Sequence, residues 1–236
     1  MLINSELCVG CGRCVAYCPM AAIKVEDTAE IDMDKCAECG VCKRVGVCPT
    51  NAFEQQPLVW PRSIRSSFSD PLNVHKETDM AGRGTAETKT NDVTGRFKRE
   101  YTGIGIEIGR PGVGSRLREL EKLSIALTKY GVELEPLNPL TKIIHPATGK
   151  LPEEALNENV ISAIIEFPVK NEQLIEVLDL IKETAEDMDT VLSVTLGCRA
   201  NEDGSFDTER ILKEAGMFYR PNAKVNMGLG RPLYQD

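Results

Sequence analysis

Apolar positions along the chain keep three different rhythms. The last is the most regular. In TGIGIEIG, Ile104, Ile106 and Ile108 alternate with glycine and glutamate, the period of a strand with one covered face. GRPGVG interrupts that run, and Leu117, Leu120, Leu123 and Leu127 then repeat at helical spacing. Ser115 is the expected cap of this helix, which runs to about Tyr130 and ends at Gly131. Val132 to Leu137 predicts a second strand, and NVISAIIEFPV a third. A helix capped by Asn171 turns Leu174, Leu178, Ile181 and Ala185 inward, and TVLSVTLGC predicts a fourth strand. Residues 101–200 therefore read βαββαβ, two helices on one face of a four-stranded antiparallel sheet. Residues 201–236 form a C-terminal extension with a short helix near 207–217.

Residues 57–100 lose the rhythm. They hold eight basic and six acidic side chains, the only stretch with positive charge, and no sustained period. A structureless run of this length is unusual inside a compact domain. Two readings stand: a solvated linker, or an extended irregular arm that wraps a partner or another domain. Trp60, Phe68, Met80 and Phe97 are spaced apolar anchors that a linker does not need. Arg83, Arg96, Lys98 and Arg99 suit an acidic surface or an anionic cofactor.

The first 56 residues follow a rhythm set by cysteine. Of nine cysteines in 236 residues, eight lie before position 49. Cys8, Cys11, Cys14 and Cys18-Pro19 read C-x2-C-x2-C-x3-C-P, and Cys36, Cys39, Cys42 and Cys48-Pro49 read C-x2-C-x2-C-x5-C-P. Zinc needs only two CxxC pairs, which leaves half the thiols idle. A CxxC redox pair does not explain a third cysteine at the same interval. The segment is also a duplication: Ile3 aligns with Ile31, Cys8 with Cys36, Gly12 with Gly40, and CPMAAI with CPTNAF.

Duplicated unit and cysteine spacing together resemble the bacterial two-[4Fe-4S] ferredoxin domain, in which the fourth cysteine of each run serves the other cluster. The resemblance implies two [4Fe-4S] clusters, one on Cys8, Cys11, Cys14 and Cys48, the other on Cys36, Cys39, Cys42 and Cys18. It implies one-electron transfer, with no substrate at iron. Lys43 to Val47 depart from the family spacing and are expected to bulge at the surface. Ile3, Ile23, Ile31 and Phe53 are expected to shield the clusters from water. The segment carries five basic and eight acidic side chains, which favours a low potential.

Other features set bounds. A formal charge of -8 argues against nonspecific nucleic-acid binding. The start MLINSELCVG is not patterned as a signal peptide, and no apolar run approaches the roughly 18 residues of a membrane span. A cytoplasmic protein with reduced thiols and no membrane insertion is expected. GRPGVGSR has the glycine interval of a phosphate loop, but Ser115 stands where lysine belongs, so that reading fails. A loop entering a helix still offers N–H groups to an anion, with Arg110 and Arg116 nearby; a tight turn without ligand is the plainer reading. NMGLGRP at 226–232 repeats the Gly-Arg-Pro element. Cys198 reads as a small buried residue at a strand end. His75 and His145 lie in different loops, and Glu107 and Glu166 are expected on the open face of the sheet.

The fold class expected is α+β: an N-terminal dicluster ferredoxin domain (1–56), an arm (57–100), a ferredoxin-like α/β sandwich (101–200, a name for topology only), and an extension (201–236). The function expected is an iron–sulfur electron carrier, a non-catalytic subunit in a hetero-oligomer. It relays single electrons to or from a redox partner protein or catalytic subunit, in which a flavin is the expected organic cofactor. A second resemblance runs through RSIRSSFSDPLNVHKETDMAGRGTAETKTNDVTGRF and TGIGIEIGRPG. It is to proteins of the 6-hydroxynicotinate reductase type, and implies the cluster-bearing part of a related reductase from an anaerobe. Two alternatives remain open: a reductase acting itself on a small anionic or heterocyclic substrate, and a redox-responsive regulator whose sandwich resembles ACT domains.

Overall fold

The computed structural model describes residues 1–75, 80–81, 98–110, 112 and 114–220. In the N-terminal part each copy of the repeat supplies a strand at its start and one at its end, and the strands pair across copies. β1 (Leu2–Ile3) opens the first copy and pairs with β4 (Phe53–Glu54), which closes the second. β2 (Ile23–Val25) closes the first copy and pairs with β3 (Ala29–Ile31), which opens the second. Register sets Ile3 opposite Phe53 and Ile23 opposite Ile31, so the four apolar residues singled out as shields meet in two facing pairs. The same bond ties off each crossing: Asn4 N donates to Ala52 O at 2.8 Å, and Asp32 N to Ala22 O at 2.7 Å. The second copy adds one short helix, α1 (Val41–Arg44), on the expected insertion.

The arm is not a linker where the structure describes it. α2 (Ser63–Ser69) forms about two turns, and its Ile64 and Phe68, four apart, both sink into the main core. Trp60 stays half-exposed, its Nε1 donating to Glu154 at 3.0 Å. β5 (Val74–His75) and β6 (Met80–Ala81) make a two-residue ladder. Lys98 sits 5.6 Å over the Tyr101 ring. Arg83, Arg96, Phe97 and the Met80 side chain lie outside the described residues.

The third part holds β7 (Tyr101–Ile108), β8 (Ser115–Arg116), α3 (Leu117–Tyr130), β9 (Asn159–Val160), β10 (Ala163–Lys170), α4 (Leu174–Glu186), β11 (Leu192–Gly197) and α5 (Asp207–Glu214). β7 is central and antiparallel to both neighbours, in the order β10-β7-β11. Ile104, Ile106 and Ile108 share a face with Phe167, Ile165 and Ala163, and that face packs against the leucine stripe of α3 and Leu174, Val177 and Ile181 of α4.

The sheet has three strands among the described residues, not the four expected. Val132 to Leu137 runs past the outer edge of β10 and makes one ladder-like bond, Glu135 N to Glu166 O at 2.7 Å. Pro136 and Pro139 have no N–H to give, and the chain turns away through Asn138 N to Glu135 O. Two expected caps also differ. Ser115 enters the β8–β9 ladder, with its hydroxyl on Arg116 O, and Asn171 Oδ1 accepts from Thr102 Oγ1 at 2.8 Å. Gly131 ends α3 as expected, with Gly131 N on Leu127 O.

A junction locks the cysteine domain to the rest. Arg65 of α2 is 4% exposed and pairs through Nε with Glu158. Arg116 pairs with Asp34, Asn159 Nδ2 donates to Lys35 O at 2.9 Å, and Ile161 N donates to Ser69 Oγ at 2.9 Å. At Gly114, φ +69°, a Cβ would stand 2.3 Å from Met20 Cε, so the two parts touch there without room for a side chain.

Candidate functional site

The first two cysteines of each run lie on a loop after a strand, and the third meets a short helical turn, Cys14 as the residue before Val15–Tyr17 and Cys42 inside α1. Val15–Tyr17 follows the first loop and α1 the second. The fourth cysteine of each run then lies beside the other copy's loop. A pocket of about 340 Å³, including the solvent at its mouth, is lined by Cys8, Cys11 and Cys14 from the first copy and Cys48 from the second. Its walls include Ile3, Ala29 and Phe53, with Arg13 and Thr50 as polar members. The thiol neighbours of Cys14 are Cys11, Cys8 and Cys48, and those of Cys42 are Cys39, Cys36 and Cys18. The eight thiols thus fall into two crossed sets. Cys198 belongs to neither set and lies half-buried beyond β11.

Electrostatics identify what such sets require. Burial pushes the thiols of Cys14, Cys36 and Cys39 up from their ordinary value, and pushes Cys42 up to about 12, helped by the charges of Cys39, Cys36 and Cys18. Four thiolates cannot accumulate in an apolar pocket unless cationic charge accompanies them. Cys48 runs the other way: burial raises it, but hydrogen bonds from Ala52, Thr50 and Asn51 outweigh burial. N–H groups aimed at sulfur complete the picture. Ala22 N lies 3.2 Å from Cys18 Sγ, and Ala52 N 3.3 Å from Cys48 Sγ, the same i+4 bond in each copy. Ala29 N reaches Cys8 Sγ at 3.3 Å.

These features fit an iron–sulfur cluster: soft thiolate donors, apolar walls and N–H···S bonds. Among the described residues no three His, Cys, Asp or Glu side chains converge as ligands of one ion do. The thiols of Cys8, Cys11, Cys14 and Cys48 instead line a hollow.

Exposure differs between the sets. Cys11 is exposed, and Leu7, Val9, Val15 and Tyr17, close to it in sequence, all stand more than 40% exposed. Cys39 is buried, and its loop faces α2 and the junction. There the structure adds residues that sequence reasoning missed. Glu38, 2% exposed, accepts from the Met1 α-amine at 2.6 Å and from Arg62 Nη2 at 2.6 Å. Arg44 and Arg65 also donate to this loop. One signal was present in the duplication: Glu38 aligns with Gly10.

The other expected features are ordinary. At GRPGVG, Gly114 N is on Gly109 O, and Leu117 N and Arg118 N are on Glu158 O and Leu156 O, so these donors are committed; Pro111 and Val113 lie outside the described residues. Arg116 is held by Asp34 and Asn157 O. Glu166 faces away from the helices as expected, but is 4% exposed and accepts from Asn138 Nδ2 at 2.9 Å. Glu107 shares that face, half-buried. His145 Nδ1 accepts from Ala147 N within its own turn, while the His75 side chain and residues 226–232 lie outside the described residues. No helix among the described residues is long and apolar enough to cross a membrane.

Residues 1–24 match the family described as a 4Fe-4S binding domain. A component of an ion-translocating oxidoreductase complex from Methanosarcina acetivorans is 50% identical over 48 residues, 20% of this chain and 17% of that protein. The polyferredoxin protein MvhB of Methanothermobacter thermautotrophicus is 54% identical over 59 residues, 25% of this chain and 14% of that protein. Pyruvate synthase subunit PorD of Methanothermobacter marburgensis is 33% identical over 54 residues, 23% of this chain and 62% of that protein. The chain therefore spans less than a fifth of the length of the first two relatives. No solved structure matches the chain.

Proposed function

From the premise that its N-terminus is a 4Fe-4S ferredoxin domain, we propose that this chain is an electron-transfer subunit working within a larger oxidoreductase assembly. It holds two [4Fe-4S] clusters, one on Cys8, Cys11, Cys14 and Cys48 and one on Cys36, Cys39, Cys42 and Cys18. Each cluster, when bound, supplies reversible one-electron transfer.

The observation that carries this reading is the crossed gathering of thiols, three from one copy and one from the other, around an apolar pocket. Ile3, Ala29 and Phe53 exclude water there, and the N–H groups of Ala22, Ala29 and Ala52 stabilise sulfur charge. Cys11 and its apolar surround suit approach by a redox partner protein. The arm and the α/β domain fix the second loop relative to the rest of the assembly, where a catalytic subunit carries the organic chemistry, flavin included. The names of the relatives, subunits of an oxidoreductase complex and of pyruvate synthase, support that setting.

Anaerobic purification of the native assembly tests the proposal, with iron, sulfide, zinc and flavin assays and identification of copurifying chains. About eight irons per chain and a catalytic partner are expected. Zinc in place of iron, or a lone chain that turns over a substrate, overturns it.

A further inference from the structure

The two cysteine loops are copies in sequence but not in surroundings. Position 10 in the first and position 38 in the second share a left-handed backbone, φ +64° and +52°. The first copy has glycine there, and a Cβ would meet Asp27 O at 2.4 Å. The second copy has Glu38, strained and buried, with its carboxylate bonded to the Met1 α-amine and to Arg62 Nε (2.8 Å) and Nη2 (2.6 Å).

Three guanidinium groups then reach the main chain of the second loop. Arg44 Nη2 donates to Cys39 O at 2.6 Å, and Arg62 Nη1 to Met33 O at 3.0 Å. Arg65 Nη1 donates to the carbonyls of Met33, Asp34 and Cys36 at 3.0, 3.0 and 2.7 Å. Their carboxylate partners, Asp70 for Arg44 and Glu158 for Arg65, belong to the arm and the third part of the chain. Glu38, Asp32 and Asp34 are the acids of the loop itself, and each has a cation within a salt bridge: the Met1 amine and Arg62, Lys35, and Arg116. The first-loop pocket has one guanidinium in its described lining, that of Arg13. Arg44 comes from the insertion that breaks the ferredoxin spacing, so the insertion supplies part of the clamp.

We propose that this guanidinium clamp makes the junction-side site, on Cys36, Cys39, Cys42 and Cys18, the higher-potential of the two, with Arg65 as the positioning residue that sets the order. An electron entering at the exposed Cys11 side then settles beside the α/β domain. The inference rests on the two-cluster reading above. The donor is a one-electron donor protein; one electron moves, no proton or bond changes hands, and the added negative charge at the second loop is what the arginines stabilise.

The test is an EPR-monitored redox titration of the full-length, cluster-loaded protein. The signal altered by Cys11→Ser marks the first-loop site. In the parent protein, electron occupancy favours the junction-side site by tenfold or more, about 59 mV for a one-electron couple. Arg65→Gln is expected to cut that preference roughly tenfold, Arg65→Lys to restore part of it, and Glu158→Gln, which leaves the guanidinium uncompensated, to increase it. The first-loop potential stays put in all three. Arg44→Gln provides a second lever if Arg65→Gln does not fold, with a shift in the same direction. Two centres whose potentials ignore these substitutions, or move the same way in Arg65→Gln and Glu158→Gln, overturn this proposal and leave the two-cluster reading standing. A protein without two reducible centres overturns both.

Discussion

Glu38 adopts a backbone that costs an L-residue about 1–2 kcal/mol, and the charges of Met1 and Arg62 hold it there against that strain. Cys48 is as specific in the opposite sense: it serves a pocket whose other thiols lie more than thirty positions earlier. Cys48→Ala should therefore empty the first-loop site. Iron content should fall to about half while the remaining reducible centre keeps the second-loop signature; loss of the second-loop signal instead would refute crossed ligation. A further prediction concerns Glu119 of α3. Burial raises its carboxyl, but Lys122 and the Asp189 N–H outweigh burial and hold it below the ordinary carboxylate range. A value lowered on folding contributes stability above the unfolded value of about 4.3, and that contribution fades as pH falls through the folded value. Glu119→Gln should cost about 1–3 kcal/mol at pH 7, with the gap in thermal midpoint closing toward pH 3. The gathering of the eight cysteines was legible because their spacing is local and duplicated. Glu38 and Arg65 were not, because their partners lie 24 to 93 residues away and nothing short-range announces them.

At the level of elements, the apolar stripes were the reliable guide. The leucine stripe of α3 and the alternation in β7 face one core as the spacing required. α2 was missed because two apolar residues in a polar stretch carry too weak a periodicity, yet Phe68 is 1% exposed. Phe68→Ala should cost about 3–5 kcal/mol, as a core phenylalanine does, measured by chemical denaturation; a change below about 0.5 kcal/mol would restore the solvated-linker reading. The fourth strand failed for the opposite reason. Val132 to Leu137 has strand-like alternation, but Leu137 N, the next donor on the side that Glu135 N turns to β10, goes to Glu135 Oε1 instead, and the chain turns away. Ser115 and Asn171 were expected as caps on local grounds, and each is instead engaged by an element distant in sequence, Ser115 through pairing with Val160 and Asn171 through Thr102.

Across the whole molecule, the cysteine domain and the α/β part share one seam, buried at Arg65 and open at Arg116. Arg65, Arg116 and Asn159 cross it, Ser69 ties the arm to Ile161 beside it, and Gly114 admits Met20 at a distance no side chain would allow. The seam covers the second loop and leaves the first open. A chain cut after residue 56 loses α2 and with it Arg62 and Arg65. It should release iron to a chelator in air faster than the full chain, with the second-loop centre lost first; equal rates for both centres would mean the seam shields neither. Sequence alone suggested an arm and a separate sandwich, since charge and composition change at 57 and 101, but interlocking of this kind leaves no compositional trace.

The exchange of strands between the two copies bears on how such a chain is made. β1 meets its mate only once residue 54 exists, and β2 and β3 cannot seat Cys18 beside a loop that has not yet been synthesised. A nascent chain paused after Cys42 already carries seven of the eight thiols, but lacks Cys48 and the strand that closes the first pocket. Metal delivery to the first pocket must wait for the ribosome to move on, and a premature stop in this interval leaves that cage one thiol short while the other set already has all four.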